Sequence, residues 1–289
     1  MATDKKIKKT GLGTKASRRI SNAIVYIVLA LITVVWLFPF FGLVMESFKV
    51  NTTAMDGKLI PEKFGLDNYI RLFTETDFLL WFKNTTLMGL ATAFFQTFFV
   101  LSMSYTLSRM RFKGRKQLMS FGIVLNMFPG VLSMIAIYFI LKSLGLTNSH
   151  VGMIIVYSAG SGLGYLIAKG FMDTISVSLR EAARLEGASE AKIFWRIILP
   201  LSKPIIVYTV ISSFLVPWGD FVFAKLILNS GISADWTIAI GLYNMLNKSL
   251  INKYFSIFCA GGVVVSIPIS ILFVIMQKFY VEGITGGSV

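Results

Sequence analysis

Long uncharged, mostly apolar runs alternate with short basic segments along the chain. The runs cover 20–45, 84–108, 117–141, 143–168 and 254–277, and a sixth, 204–228, is interrupted only by Asp220 and Lys225. Each exceeds the roughly 20 residues that cross a hydrocarbon core of about 30 Å at about 1.5 Å per residue. The pattern predicts an all-α membrane protein of six transmembrane helices, with residues 1–19 as a basic tail and 20–289 as one transmembrane domain. Gly145-Leu146-Thr147-Asn148 supplies the turn between the third and fourth spans.

Basic residues set the predicted orientation, because Lys and Arg collect on the cytoplasmic side of short loops. They concentrate in the tail (Lys5 to Arg19), between spans two and three (Arg109, Arg111, Lys113, Arg115, Lys116), and after span four (Lys169, Arg180, Arg184, Lys192, Arg196, Lys203). Both termini and these loops are therefore expected in the cytoplasm, with the 46–83 loop and the loop before span six outside. The uncharged run after the tail is too long for a signal-peptide core and lacks a small-residue cleavage site, so it reads as a first anchor.

Composition agrees: 55% hydrophobic and 15% charged, with a mean hydropathy of +0.72, against about 25% charged in soluble domains. The net charge of +14 sits at span ends and does not make a nucleic-acid surface. The single cysteine, Cys259, excludes an internal disulfide.

One polar, helix-patterned segment stands apart, at 178–200. Ser178-Leu179-Arg180-Glu181 fits a capping box, which predicts a short helix over 179–186. Gly187 suits the left-handed position that ends it. Ser189 is placed to cap a second helix that Pro200 closes. Ala182 and Ala183 offer a low surface for close approach of a partner. Ile193, Phe194, Ile197 and Ile198 form a helical stripe expected to pack back on the membrane domain. Caps and composition alone leave two readings, an interfacial amphipathic pair or a docking unit.

The spacing of Glu181-Ala182-Ala183, Gly187 and Ile197-x-Leu199-Pro200 resembles the EAA loop of importer permeases of ATP-binding-cassette transporters. Arg109–Gly114, Met127–Ser133, Thr237–Gly241 with Leu246-Asn247, and Gln277–Phe279 with Gly283–Gly287 are similar to the MalG-type permeases of maltose and maltodextrin importers. The resemblance covers nearly the whole chain from the first span. It implies a type I importer permease fold in a bacterial plasma membrane, and a pore shared with a second, MalF-like permease. It also implies two ATPase subunits and an extracytoplasmic sugar-binding protein as partners. ATPase coupling would fall to Glu181, Ala182, Ala183, Gly187, Leu199 and Pro200. Gly283, Thr285, Gly286 and Gly287, in the 279–289 tail, would enter the ATPase interface; a frayed terminus is the plainer reading of the same glycines. Leu246 and Asn247 would begin a loop, 246–252, that meets the binding protein.

The chemistry elsewhere is sparse. No G-x-x-x-x-G-K-[ST] loop occurs, and Gly160-Ser161-Gly162-Leu163-Gly164 lacks the following Lys. ATP and magnesium are thus expected on partner subunits, with no cofactor bound by this chain. Glycines in a span more often permit close helix packing. No His, Cys or carboxylate cluster suggests catalysis or a metal site. Asp220 is an ionisable group in a span and hence a functional candidate. Its place beyond Pro204 favours the outer interface, with Trp218 in the aromatic belt. Asn126 and Tyr138 are further candidates for a sugar path. His150 stands alone. A stand-alone secondary transporter fits less well, because it usually shows an intramembrane charge pathway or inverted repeats. A membrane enzyme lacks its paired catalytic groups.

Overall fold

A computed structural model describes residues 14–50, 58–161 and 163–285, with side chains for 18–50, 58–161 and 163–277. In chain order the helices are α1 (Thr14–Ser47), α2 (Asp67–Thr74), α3 (Phe78–Arg109), α4 (Arg115–Asn126), α5 (Gly130–Ser143), α6 (His150–Ala159), α7 (Gly164–Asp173), α8 (Val177–Leu185), α9 (Glu190–Leu201), α10 (Lys203–Gly219), α11 (Val222–Ile227), α12 (Ile238–Asn244) and α13 (Ile251–Thr285). Among the described residues there is no named strand, only one isolated antiparallel bridge between Lys49 and Phe64.

Segments within α1, α3 and α13 are each long and apolar enough to cross a bilayer alone. The other three spans are bent pairs: α4 with α5 at 100°, α6 with α7 at 42°, and α9 with α10 at 86°. The uncharged runs do not announce these bends, and each has a local cause. Pro129 precedes α5 and offers no N–H, so the helix stops at Asn126 and restarts in a new direction. The fourth span begins at His150 rather than at 143, because Ser143 ends α5 and 144–149 is spent on a turn. Gly145 (φ +69°) and Asn148 (φ +56°) take left-handed conformations there, and Ser149 caps α6 through the Val151 and Gly152 N–H groups. Pro200 does not end α9. That helix continues to Leu201 through a π turn at Phe194–Ile198, the adjustment expected where proline withdraws a helical N–H. The break comes at Ser202, just before Pro204 in the first turn of α10. The fifth span ends at Gly219, and Asp220 separates it from α11.

α3 is the central post, packing against α6, α7, α10 and α12, while α1 lies along α13. At the start of α3, Phe78 and Trp81 are buried with Leu72, Trp218 and Ile238. At its end, Leu101 and Tyr105 are buried with Met172, Ile193 and Ile198. This far end also carries the α3–α4 basic loop, α8 and α9. At about 1.5 Å per residue α13 is about 50 Å long, and it packs against α1, α2, α10 and α12. Trp218 is buried and packs edge-on against Phe82, with ring centroids 5.1 Å apart. It is a core side chain, not a member of an aromatic belt.

Helices in lipid gain no hydrophobic drive from meeting one another, so close packing at small residues holds them. A Cβ added at Gly89 of α3 would sit 2.8 Å from the Phe214 carbonyl oxygen of α10. Backbone cannot yield as a flexible side chain does. Gly89→Ala is therefore expected to cost about 1–3 kcal/mol by overpacking and to lower the thermal unfolding midpoint of the detergent-purified chain by several degrees. Gly170→Ala, where an added Cβ meets nothing within 4 Å, should leave the midpoint unchanged. Equal midpoints for Gly89→Ala and wild type would show that α3 and α10 have slack at this crossing.

Candidate docking site

α8 and α9 form a bent pair at the basic end of the bundle. Ser176, not Ser178, caps α8, accepting from the Ser178 N–H at 3.3 Å. The cap is displaced by two residues, the expected capping box of Ser178 and Glu181 does not form, and Glu181 lies in the helix body. Gly187 does end α8: its φ is +80°, its N–H reaches the Arg184 carbonyl at 3.0 Å, and the Ala188 N–H reaches the Ala183 carbonyl at 2.9 Å. This pair of bonds is a Schellman motif, which satisfies carbonyls that a helix end leaves open. Ser189 then caps α9 through the Lys192 N–H.

The stripe on α9 folds inward as its spacing predicts. Ile193, Phe194 and Ile198 are buried against Leu101, Tyr105 and Met172, with Phe194 5.0 Å from the Tyr105 ring. Ile197 and Leu199 are half-buried and Pro200 is exposed. Ala183 also turns inward, 8% exposed, and joins this cluster. Its small side chain lets α8 and α9 approach each other, so the low outer surface comes from Ala182 and Gly187. The outward face is Glu181, Ala182, Leu185 and Gly187. Leu185, at 91%, is the most exposed large apolar side chain among the described residues.

Two groups that sequence reading did not single out lock this unit to the bundle. Glu190 accepts from the Tyr105 hydroxyl at 2.6 Å and from Arg180, with Arg184 Nε at 3.6 Å. Burial alone would raise the Glu190 carboxyl, but the hydrogen bonds from Arg180 and Tyr105 outweigh it and hold it below its usual value. The same hydrogen bond raises Arg180. Arg109, buried at the end of α3, donates through Nη2 to the Met172 and Ile175 carbonyls and so fixes the link between α7 and α8. These partners lie 63 to 85 residues apart in sequence, and no local pattern announces them.

The remaining candidates are scattered. Asp220 accepts from the Phe223 N–H at 3.0 Å and from the Tyr157 hydroxyl at 2.6 Å, so it joins the ends of α10 and α11 to α6. Tyr138 packs half-buried against the cluster of Met88, Leu141 and Tyr157. Asn126 is exposed at the end of α4, on the other arm of the 100° bend, with its amide on the Gly122 carbonyl. His150 Nε2 lies 2.8 Å from the Asp235 carbonyl oxygen, a tie between loops. No group of three metal-binding side chains occurs among the described residues. Leu246 is half-buried and Asn247 exposed after α12. Asn247 borders a cavity of about 350 Å³ with Trp81, Lys225, Trp236 and Asn244. Gly283 and Thr285 are in the last turns of α13, so the tail begins as helix. Gly286 and Gly287 lie outside the described residues, as does Gly162.

Helices long enough to span, three of the spans being bent pairs, with a capped helix pair at one end, define a multi-pass membrane protein. Residues 99–286 match the family described as "Binding-protein-dependent transport system inner membrane component". The chain belongs to that family, and within it to the sugar permeases of ATP-binding-cassette importers in the plasma membrane. It is 33% identical over 277 residues to the galactooligosaccharides transport system permease GanQ of Bacillus subtilis, covering 94% of this chain and 97% of that one. It is 30% identical to the maltodextrin transport permease MdxG of the same organism, covering 96% and 99%. It is 32% identical to the maltose/maltodextrin permease MalG of Escherichia coli, covering 92% and 95%. A crystal structure of a bacterial transporter that imports the polysaccharide alginate contains a chain of the same fold, with a TM-score of 0.80 at 21% identity over 94% of this chain.

Proposed function

We propose that the chain carries a neutral oligosaccharide of the maltodextrin kind, and that α8 and α9 pass the closure of partner ATPases to the spans. The observation that carries the coupling role is the Schellman turn at Gly187. It presents Glu181, Ala182 and Leu185 on a rigid, outward-facing corner whose inner side is bound to α3. A rigid corner transmits displacement, whereas a frayed interfacial helix absorbs it. The partners are a MalF-like second permease, two ATPase subunits that bind ATP and magnesium, and an extracytoplasmic binding protein. This assigns the basic end to the cytoplasm, with both termini there. The loop at Leu246 and Asn247 faces the binding protein, and the tail with Gly283, Thr285, Gly286 and Gly287 reaches the ATPases. α1 and the α4–α5 arms expose long apolar faces, available to lipid and to the second permease. Asp220, Tyr138 and Asn126 remain candidates for the sugar path.

The resemblance to MalG and MdxG favours maltodextrin. The similarity to GanQ supports a second reading, a galactooligosaccharide. Copurification of the tagged chain should recover an ATPase and a second permease. In the reconstituted complex with its binding protein, maltotriose should raise ATP hydrolysis severalfold, and galactooligosaccharide should not. Stimulation by galactooligosaccharide alone would move the assignment to the second reading, and recovery of no ATPase would remove the coupling role. Deleting residues 282–289 should reduce sugar-stimulated hydrolysis while leaving insertion intact.

A further inference from the structure

The α3–α4 loop forms one wall of a cavity of about 610 Å³ whose other wall is α8 with the first residue of α9. Arg109, Arg111 and Arg115 line the first wall, and Arg180, Arg184 and Glu190 are on the second. Glu181 is the one other acid in the lining, and Glu190 is already engaged by Arg180 and Tyr105. A second cavity of about 540 Å³ lies against the same loop, and it shares Arg111 and Arg115 and adds Lys116. Arg111, Arg115 and Lys116 make no ion pair among the described residues. Arg109 is 7% exposed, and its Nε is buried with no hydrogen-bond partner. α4 starts at Gly114 with no side-chain cap and no acid in its first turn. Its positive end therefore adds to the field of the cations instead of being neutralised.

We infer that this basic vestibule holds the phosphate of an anionic phospholipid headgroup. Clustered cations at a span end attract phosphodiesters through charge-assisted hydrogen bonds, and arginine favours them most. A lipid fits better than a free anion because the site continues into an apolar seat. Leu118, Phe121, Val124 and Leu125 of α4 are all exposed directly beyond the cationic loop, where acyl chains would lie. A headgroup held on Arg111 and Arg115 touches the loop and faces α8 across the cavity, so it bridges the membrane surface to the docking pair. This inference does not depend on which sugar is carried.

The test uses the full chain purified with its copurifying subunits, in nanodiscs of phosphatidylcholine with rising fractions of phosphatidylglycerol. Native mass spectrometry then reads which lipids stay bound. Wild type should retain phosphatidylglycerol in preference to phosphatidylcholine. Arg111→Gln with Arg115→Gln should weaken that retention roughly tenfold or more, and Arg111→Lys with Arg115→Lys should keep most of it. Lys8→Gln with Lys9→Gln removes the same charge from the N-terminal tail and should change nothing. Should the glutamine pair fail to assemble, Lys116→Gln alone should still give a severalfold loss. Unchanged retention in the glutamine pair, or in Lys116→Gln where that pair fails to assemble, overturns the site. Equal loss in the tail control would reduce it to surface potential. Displacement of the lipid by inorganic phosphate at matched ionic strength would overturn the lipid in favour of a free anion.

Discussion

Gly187→Asp is expected to abolish sugar uptake while the chain still inserts and folds. On the chain's own side the change is mild. An added Cβ at Gly187 meets nothing within 4 Å, and a non-glycine residue at φ +80° costs roughly 1–2 kcal/mol. Asp is among the residues that tolerate this region best. A domain with the usual 5–15 kcal/mol in hand survives that. The partner's side is where the large effect arises. A new carboxylate on the outward corner, beside Glu181 and Glu186, becomes an unpaired charge once an ATPase surface closes over it, at roughly 3–5 kcal/mol. Uptake should then fall by at least a hundredfold, and ATPase copurification should weaken in parallel. Gly187→Asn separates backbone from surface, because Asn adopts the left-handed conformation but adds no charge. It should retain much more activity than the Asp variant. Normal uptake and an intact complex in Gly187→Asp would remove the docking role from this corner.

That corner was readable because its signals are local. A glycine after a run of helix formers, with a serine two residues on, specifies a stop and a restart whatever packs nearby, and both formed. The stripe of Ile193, Phe194 and Ile198 was readable for the same reason, since helical spacing defines a face. The register of the first cap was not readable. Ser176 and Ser178 are both competent caps, and the choice fell to Ser176, with Arg109 holding the Ile175 carbonyl just ahead of it. Ala183 faces inward because the helix begins at Val177 and α9 folds back beneath it.

Spans one, two and six were legible as single rods, because an uncharged run of that length has few alternatives. Spans three to five were legible in position but not in their bends. Hydropathy reports what surrounds a segment, not its direction, and the bends depend on where proline interrupts the ladder relative to packing partners. Pro39 and Pro268 lie inside continuous helices, whereas Pro129 sits at a 100° break. Counting prolines does not tell the two cases apart. Trp218 shows the same limit, since a tryptophan near a span end suits either an interface or a core, and Phe82 decided for the core.

Glu190→Ala is expected to uncouple ATP hydrolysis from uptake without releasing the ATPase. Glu190 faces inward from the corner, so its loss leaves the docking face in place and loosens what lies behind it. The Tyr105 hydroxyl and the Arg180 guanidinium both lose their acceptor, and Arg180 is left largely buried, with 14% of its side chain exposed. Hydrogen bonds to a charged group contribute roughly 1.5–3 kcal/mol each. The Glu190 side chain is 30% exposed, so screening lowers that figure. About 2 kcal/mol for the site is reasonable, which makes local opening of α8 about thirtyfold more frequent. Amide exchange along 177–185 should accelerate by that factor, exchange in α3 should not change, and coupled uptake should drop about tenfold. Glu190→Gln keeps an acceptor for Tyr105 but loses the charge that holds Arg180, and should fall between the two. Acid should reproduce the effect in the wild type. The Glu190 carboxyl is held below its usual value near 4.5, so its contribution is fully present above that pH and disappears as pH falls through the lower folded value. Exchange in α8 should therefore be flat from neutrality to about pH 5 after correction for intrinsic rates, then rise below 4.5, and the Gln variant should lack that acid limb. An acid limb of the same size in Glu190→Gln would place the titrating group elsewhere, and unchanged exchange in Glu190→Ala would mean that the buried stripe of α9 alone holds the corner to α3.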